Sequence, residues 1–204
     1  MKNRVLNVPN TLSLIRILMV PLFLAAAIYL EDFGIWGRIV PAALFALASL
    51  TDMLDGKIAR KYNLITNFGK FIDPLADKFM VFGALLALLV TKSAADVAIR
   101  PWFIWAAAIV IFRELAVTSL RLVIAGSSGK VLAAAWWGKV KTCTQVAAIL
   151  VILLEPIPAL LGYSIAIFDL HIFSYALMAL MTVATVGSFI DYLIKYIPLI
   201  DFKS

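Results

Sequence analysis

Residues 39–57 read IVPAALFALASLTDMLDGK, an apolar run long enough to cross a bilayer as a helix, closing on Asp52 and Asp55. Residues 71–90, FIDPLADKFMVFGALLALLV, reverse the order: Asp73 and Asp77 come first and the apolar run follows. A span that ends in acids, followed by one that begins with them, returns both acidic ends to the same face of a membrane. Four further runs of about 20 residues flank this pair, at Leu12–Leu30, Trp102–Ile124, Ala134–Leu154 and Leu170–Ile194. With Ile39–Lys57 and Phe71–Val90 they make six. The breaks fall at polar or Gly- and Pro-containing segments such as Glu31-Asp32-Phe33-Gly34, Gly126-Ser127-Ser128-Gly129 and Glu155-Pro156-Ile157-Pro158.

The remaining charges obey the same alternation. Odd-numbered spans carry them near the start, as Arg16, Lys78, Lys139 and Lys141; even-numbered spans carry them near the end, as Arg113, Glu114, Arg121, Asp191 and Lys195. Of the 18 Lys and Arg, all but Arg38, Lys92 and Arg100 gather on one side, which the positive-inside rule makes cytoplasmic. The composition agrees: 64% of residues are hydrophobic and 15% charged, against about half and a quarter in soluble chains. Such apolarity excludes disorder, and a single cysteine, Cys143, excludes an internal disulfide. The net charge of +6 then speaks for an anionic membrane surface and against nucleic acid.

The sequence therefore predicts an all-α polytopic membrane protein with six transmembrane helices. Residues 1–204 form a single domain, with an interfacial segment over 1–11, a six-helix bundle over 12–195, and both termini cytoplasmic. Lys2, Arg4 and Ala25-Ala26-Ala27 loosely resemble a signal peptide, but Arg16 interrupts the apolar stretch, so the segment reads as the first span.

Asp52 and Asp55, three apart, share a helix face, as do Asp73 and Asp77, four apart. An ionisable side chain at bilayer depth costs about 2.5–3.5 kcal/mol, and four clustered carboxylates repel, so cations must accompany them. Two hard divalent ions, Mg²⁺ or Mn²⁺, suit all-carboxylate ligation and phosphoryl-transfer chemistry. Spacing alone leaves two alternatives open: neutralisation by Lys57, Arg60 and Lys78 as an ion-pair network, or a cation-transport site. Polar residues on both halves of the membrane would mark a transport path, and the non-cytoplasmic halves are nearly charge-free.

The intervening residues complete the pattern Asp52-x2-Asp55-Gly56-x2-Ala59-Arg60-x8-Gly69-x3-Asp73-x3-Asp77. This resembles, without a departure, the signature of the CDP-alcohol phosphatidyltransferase family. The resemblance implies transfer of a phosphatidyl or similar phospho-group from a CDP-linked donor to an alcohol, with release of CMP. It implies metal ligation by Asp52, Asp55, Asp73 and Asp77, with Asp77 also the catalytic base. Gly56, Ala59, Arg60 and Gly69 fall where the family holds the CDP moiety.

The stretches Asn7–Arg16, Arg113-Glu114 and Gly138–Thr142 look like those of the bacterial phosphatidylglycerophosphate synthases within that family, and related cardiolipin synthases share parts of them. The implied donor is CDP-diacylglycerol and the implied acceptor sn-glycerol 3-phosphate; members that use inositol phosphate also need a basic pocket. Arg113, Arg121, Lys139 and Lys141 are the expected partners of the acceptor phosphate. Arg113 and Arg121, eight apart, should lie on similar faces, whereas Lys139 and Lys141, two apart, diverge, so that at most one points inward. The resemblance further implies a homodimer in a bacterial cytoplasmic membrane, with Ala25-Ala26-Ala27 or Ala106-Ala107-Ala108 as candidate interfaces. His171 reads as interfacial, Cys143 as a packed small side chain, and Asp191 as the partner of Lys195.

Overall fold

The computed structural model describes residues 7–61, 66–91, 99–128 and 136–197, with the side chains of 54–61, 67, 70 and 125–128 outside the description. Among the described residues the chain is all-helical. Six long helices are α1 (Val8–Tyr29), α2 (Trp36–Lys61), α3 (Asn67–Val90), α4 (Ile99–Ser128), α5 (Trp136–Leu154) and α8 (Ile172–Tyr196). Two single-turn helices, α6 (Ile157–Leu160) and α7 (Ala166–Asp169), fill the break before α8. Over its described residues each apolar run thus maps onto one long helix, with Leu30, Leu170 and His171 left beyond the helix ends.

Four of these segments, Val8–Tyr29, Ile99–Ile124, Trp136–Leu160 and Ile172–Tyr196, are long and apolar enough to cross a bilayer. Helices of this kind mark an integral membrane protein. The aspartate-bearing α2 and α3 match them in length, at 26 and 24 residues. Large apolar side chains such as Leu18, Leu22, Val90, Trp105, Leu122, Val183 and Ile194 point outward, an arrangement that lipid tolerates and water does not.

α1 starts at Val8 rather than Leu12, so the part of the expected interfacial segment that is described belongs to the first helix. The reason is local: the Asn7 side chain caps the helix by accepting from the Asn10 N–H at 3.0 Å, and Pro9 sits in the first turn, where no intrahelical donor is needed. At the other end of the chain, α8 begins at Ile172. Glu155, buried at the end of α5, accepts the backbone N–H of Phe173 at 3.0 Å and of Ser174 at 2.9 Å, and the Ser174 hydroxyl as well. His171 adopts a left-handed φ of 50° at the helix start, with Nδ1 3.8 Å from the same carboxylate. A carboxylate on the orphan donors of a helix N-terminus satisfies both hydrogen bonding and the helix dipole.

α1 packs along both α2 and α3, while α2 and α3 touch each other only sparsely; α8 packs on α5 and α4, and α2 meets α5. α1 is therefore the element that joins α2 and α3. The shared core contains Phe23, Phe45, Ala84, Leu85, Leu88, Phe103, Ala107, Ile149, Ile152 and Met181. Lipid is as apolar as these side chains, so close packing rather than transfer from water holds them, and small residues let the helix backbones approach. Ala26, Ala27, Ala106 and Ala107 are consumed in this way inside the chain, which removes two-thirds of each proposed interface triplet from any dimer contact. Cys143, expected to pack, is exposed on α5.

Candidate active site

The acidic ends of α2 and α3 are organised by a polar stripe on α1. Asn10, Ser13 and Arg16 recur every third residue, lie on one face, and are each no more than 1% exposed. Arg16 Nη1 lies 2.6 Å from Asp52 Oδ1 on α2. Ser13 Oγ lies 2.6 Å from Asp73 Oδ1 on α3 and 3.1 Å from the Pro9 carbonyl; the shorter contact, to a charged acceptor, takes the hydroxyl proton. Asn10 Nδ2 donates to Thr66 Oγ1 at 2.9 Å, and Thr66 Oγ1 in turn accepts the Gly69 N–H at 2.9 Å as the N-cap of α3. An arginine buried inside a span costs several kcal/mol unless paired. Its contact with Asp52 offsets that cost for both ions.

Gly69 has its explanation in this contact. A Cβ at that position would stand 2.6 Å from Asn10 Oδ1 and 3.2 Å from Thr66 Oγ1. The glycine is thus required for α1 to approach α3, whatever else it admits. Gly69→Ala is expected to lower stability by about 1–3 kcal/mol, the usual range for overpacking, read as a fall in melting temperature of the detergent-solubilised protein. An unchanged melting temperature would show that Asn10 yields freely.

Asp77 lies one helical turn beyond Asp73, within electrostatic reach of Asp52, Lys141, Glu114 and Lys78. α2 is helical through Asp55, Gly56, Ala59 and Arg60, so Asp52 and Asp55 are one turn apart, but the side chains of positions 55–60 lie outside the described residues. Among the described residues no three His, Cys, Asp or Glu side chains gather as a metal cage. Asp52 and Asp73 are instead drawn toward α1. The donor chemistry nevertheless fits a hard divalent cation: Asp52 and Asp77 set like charges within electrostatic reach of each other, and the candidate donor atoms are all carboxylate oxygens.

A second polar cluster, whose Glu114 and Lys141 lie within electrostatic reach of Asp77, joins α4, α5 and α8. Glu114, 7% exposed, accepts from Lys141 Nζ, and Arg113 Nη1 lies 3.2 Å from the same Oε1. Arg113 Nη2 also donates to Ser188 Oγ on α8. Lys141 and Arg113 are 6% and 8% exposed.

The other two expected acceptor residues are placed differently. Lys139 is exposed, because two residues turn a helix by about 200° and Lys141 takes the inward face. Arg121 is exposed as well, because eight residues overshoot two turns by about 80°. Its guanidinium lies 5.6 Å above the ring of Tyr192, which also stacks at 4.4 Å on Tyr196. Arg113 and Arg121 both act electrostatically on Tyr192, so Arg121 borders the cluster without entering it. Asp191 pairs with Lys195 at 2.6 Å, as expected.

Sequence reasoning missed Asn10, Ser13, Ser188 and Tyr192 as neighbours of the candidate site residues, and gave Arg16 no contact with the aspartates. A signal was present. Polar residues at spacings of three and four run along one face of α1 (10, 13, 16) and of α8 (185, 188, 192) within otherwise apolar spans.

Comparison with known proteins identifies the family. Residues 6–190 match the CDP-alcohol phosphatidyltransferase family. The chain is 42% identical over 186 residues to the CDP-diacylglycerol–glycerol-3-phosphate 3-phosphatidyltransferase of Bacillus subtilis, covering 85% of this chain and 86% of that protein. It is 37% identical over 192 residues to a probable phosphatidylglycerophosphate synthase of Mycobacterium tuberculosis, covering 94% and 82%. A third relative, from Salmonella choleraesuis and named as the Bacillus protein is, is 38% identical over 152 residues, covering 74% and 78%. With its aspartate signature intact and nearly its whole length matched, this chain belongs to the CDP-alcohol phosphatidyltransferase family and is a transferase.

Proposed function

We propose that the protein transfers the phosphatidyl group of CDP-diacylglycerol to sn-glycerol 3-phosphate, yielding phosphatidylglycerophosphate and CMP. The observation that carries this reading is that Asp77 lies within electrostatic reach both of Asp52 and of the Glu114–Lys141 pair, to which Arg113 is joined. Such a layout serves a reaction whose donor carries a pyrophosphate and whose acceptor carries a phosphate of its own. The names of the relatives support the same pair of substrates.

Asp52, Asp55, Asp73 and Asp77 would hold two divalent cations, Mg²⁺ or Mn²⁺, which when bound supply positive charge to the donor's pyrophosphate. Gly56, Ala59, Arg60 and Gly69 would receive the CDP moiety, with the Arg60 guanidinium matched to phosphate oxygens. Lys141 and Arg113 would hold the acceptor's phosphate, with Arg121 at the rim; Lys139, exposed, would interact with anionic headgroups instead. Asp77 accepts the proton of the acceptor hydroxyl as that oxygen forms its bond to the β-phosphorus, and the bond from that phosphorus to CMP breaks. All six long helices would span the bilayer of a bacterial cytoplasmic membrane as a homodimer. Both termini and the site would then face the cytoplasm, with the acyl chains of the donor remaining in lipid.

The test is CMP release from CDP-diacylglycerol by the purified protein, across a panel of acceptors and with or without divalent ions. Release is expected only with glycerol 3-phosphate present and is expected to stop with EDTA. Preference for phosphatidylglycerol or inositol phosphate would reassign the acceptor, and turnover untouched by chelation would remove the cations from the scheme.

A further inference from the structure

α1 touches the acid-bearing helices through two close contacts to carboxylates, one an ion pair and the other a charge-assisted hydrogen bond. Arg16 Nη1 holds Asp52 by Oδ1 at 2.6 Å, and Ser13 Oγ holds Asp73 by Oδ1 at 2.6 Å. Both donors are completely buried, while the Asp52 side chain is about one-third exposed. One oxygen of each carboxylate is therefore committed to α1. A carboxylate held in this way presents a cation with one oxygen rather than chelating it through two.

That distinction separates hard cations from one another. Ca²⁺ draws on six to eight oxygens and commonly takes both from a carboxylate, whereas Mg²⁺ demands an octahedron at shorter distances and takes few protein ligands. Partners that orient ligating carboxylates are as much a part of a metal site as the ligands. We infer that Ser13 and Arg16 are positioning residues that keep Asp73 and Asp52 in one-oxygen ligation and thereby select Mg²⁺ or Mn²⁺ against Ca²⁺. This rests on the reading of the aspartates as metal ligands.

Mn²⁺ binding to the full-length protein in lipid nanodiscs, followed by electron paramagnetic resonance with Ca²⁺ as competitor, reads the selection without any turnover. In Ser13→Ala, Ca²⁺ is expected to displace Mn²⁺ at about tenfold lower concentration than in the wild type, the low end of the effect of such partners. Ser13→Thr keeps the hydroxyl and should compete as the wild type does. Arg16→Lys keeps the charge without the planar fork and should shift in the direction of Ser13→Ala. Ser13→Ala leaves the Asn10–Thr66 contact between α1 and α3 in place, so the answer does not depend on Arg16→Lys folding. Unchanged Ca²⁺ competition in Ser13→Ala, with Mn²⁺ still bound, overturns the selective role and spares the metal site. A wild-type protein that binds no Mn²⁺, or binding that survives the paired change Asp52→Asn and Asp73→Asn, overturns the metal reading and this inference with it.

Discussion

Asp77→Asn is expected to lower kcat by about 10²–10⁴-fold, the usual contribution of a positioned general base, while CDP-diacylglycerol still binds. Asparagine has nearly the same shape and retains an oxygen, so donor contacts that depend on shape or on the neighbouring aspartates persist. What it loses is the capacity to take up the proton released as the acceptor hydroxyl attacks. Asp77 is suited to this role by its surroundings: it lies within electrostatic reach of both Asp52 and the Glu114–Lys141 pair. Steady-state kinetics together with equilibrium binding of the donor separate the two effects. Near-normal turnover in Asp77→Asn would end its assignment as the base. Loss of donor binding together with turnover would recast it as a ligand alone. Asp52→Asn should behave differently, since it also removes the partner of the buried Arg16, and so a loss of stability should accompany its loss of activity.

Much of this arrangement was legible before any fold was known, because the membrane imposes strict rules. Unsatisfied backbone groups in lipid force helices, so apolar runs translate almost directly into α1, α2, α3, α4, α5 and α8. The aspartate pairs could be placed on shared faces because spacings of three and four are fixed by helix geometry. The limit of spacing shows in the basic residues. Two residues apart was enough to say that Lys139 and Lys141 diverge, but not which of them faces the bundle. The eight-residue interval that seemed to align Arg113 with Arg121 hides a rotation large enough to leave Arg121 outside. Beyond reach altogether was the choice of neighbours. Nothing local in Ser13 or Arg16 indicates that α1 lies along both α2 and α3, and on that choice depends the change of Arg16 from a marker of the inner face to the partner of Asp52. Glu155 was similarly opaque: it read as part of a break, and its role as the cap of α8 depends on the intervening single-turn helices folding the chain back.

Glu114→Gln is expected to destabilise the protein by about 1–3 kcal/mol, the cost of leaving a buried hydrogen-bonded charge without its counter-ion. The substitution leaves Lys141 and Arg113 as two neighbouring cations that share a neutral amide where a carboxylate stood. Two effects on acceptor binding then oppose each other. Loss of the carboxylate relaxes the geometry that holds Lys141, but it also removes an anion that competes with a phosphate for both cations. Glutamine keeps an oxygen to accept from Lys141, so the geometric loss is the smaller of the two and the electrostatic gain decides. Glycerol 3-phosphate should therefore raise the melting temperature of Glu114→Gln more than that of the wild type, because its phosphate takes over the neutralising role and binding to the folded state adds directly to stability. Lys141→Ala should abolish most of that shift and raise the KM for glycerol 3-phosphate by about 10–100-fold, corresponding to the ~1.5–3 kcal/mol of a hydrogen bond to a charged group, with the KM for the donor little changed. Equal stabilisation of wild type and Glu114→Gln by the acceptor, or equal effects of Lys141→Ala on both substrates, would place the acceptor's phosphate elsewhere and leave this cluster as a brace between α4, α5 and α8.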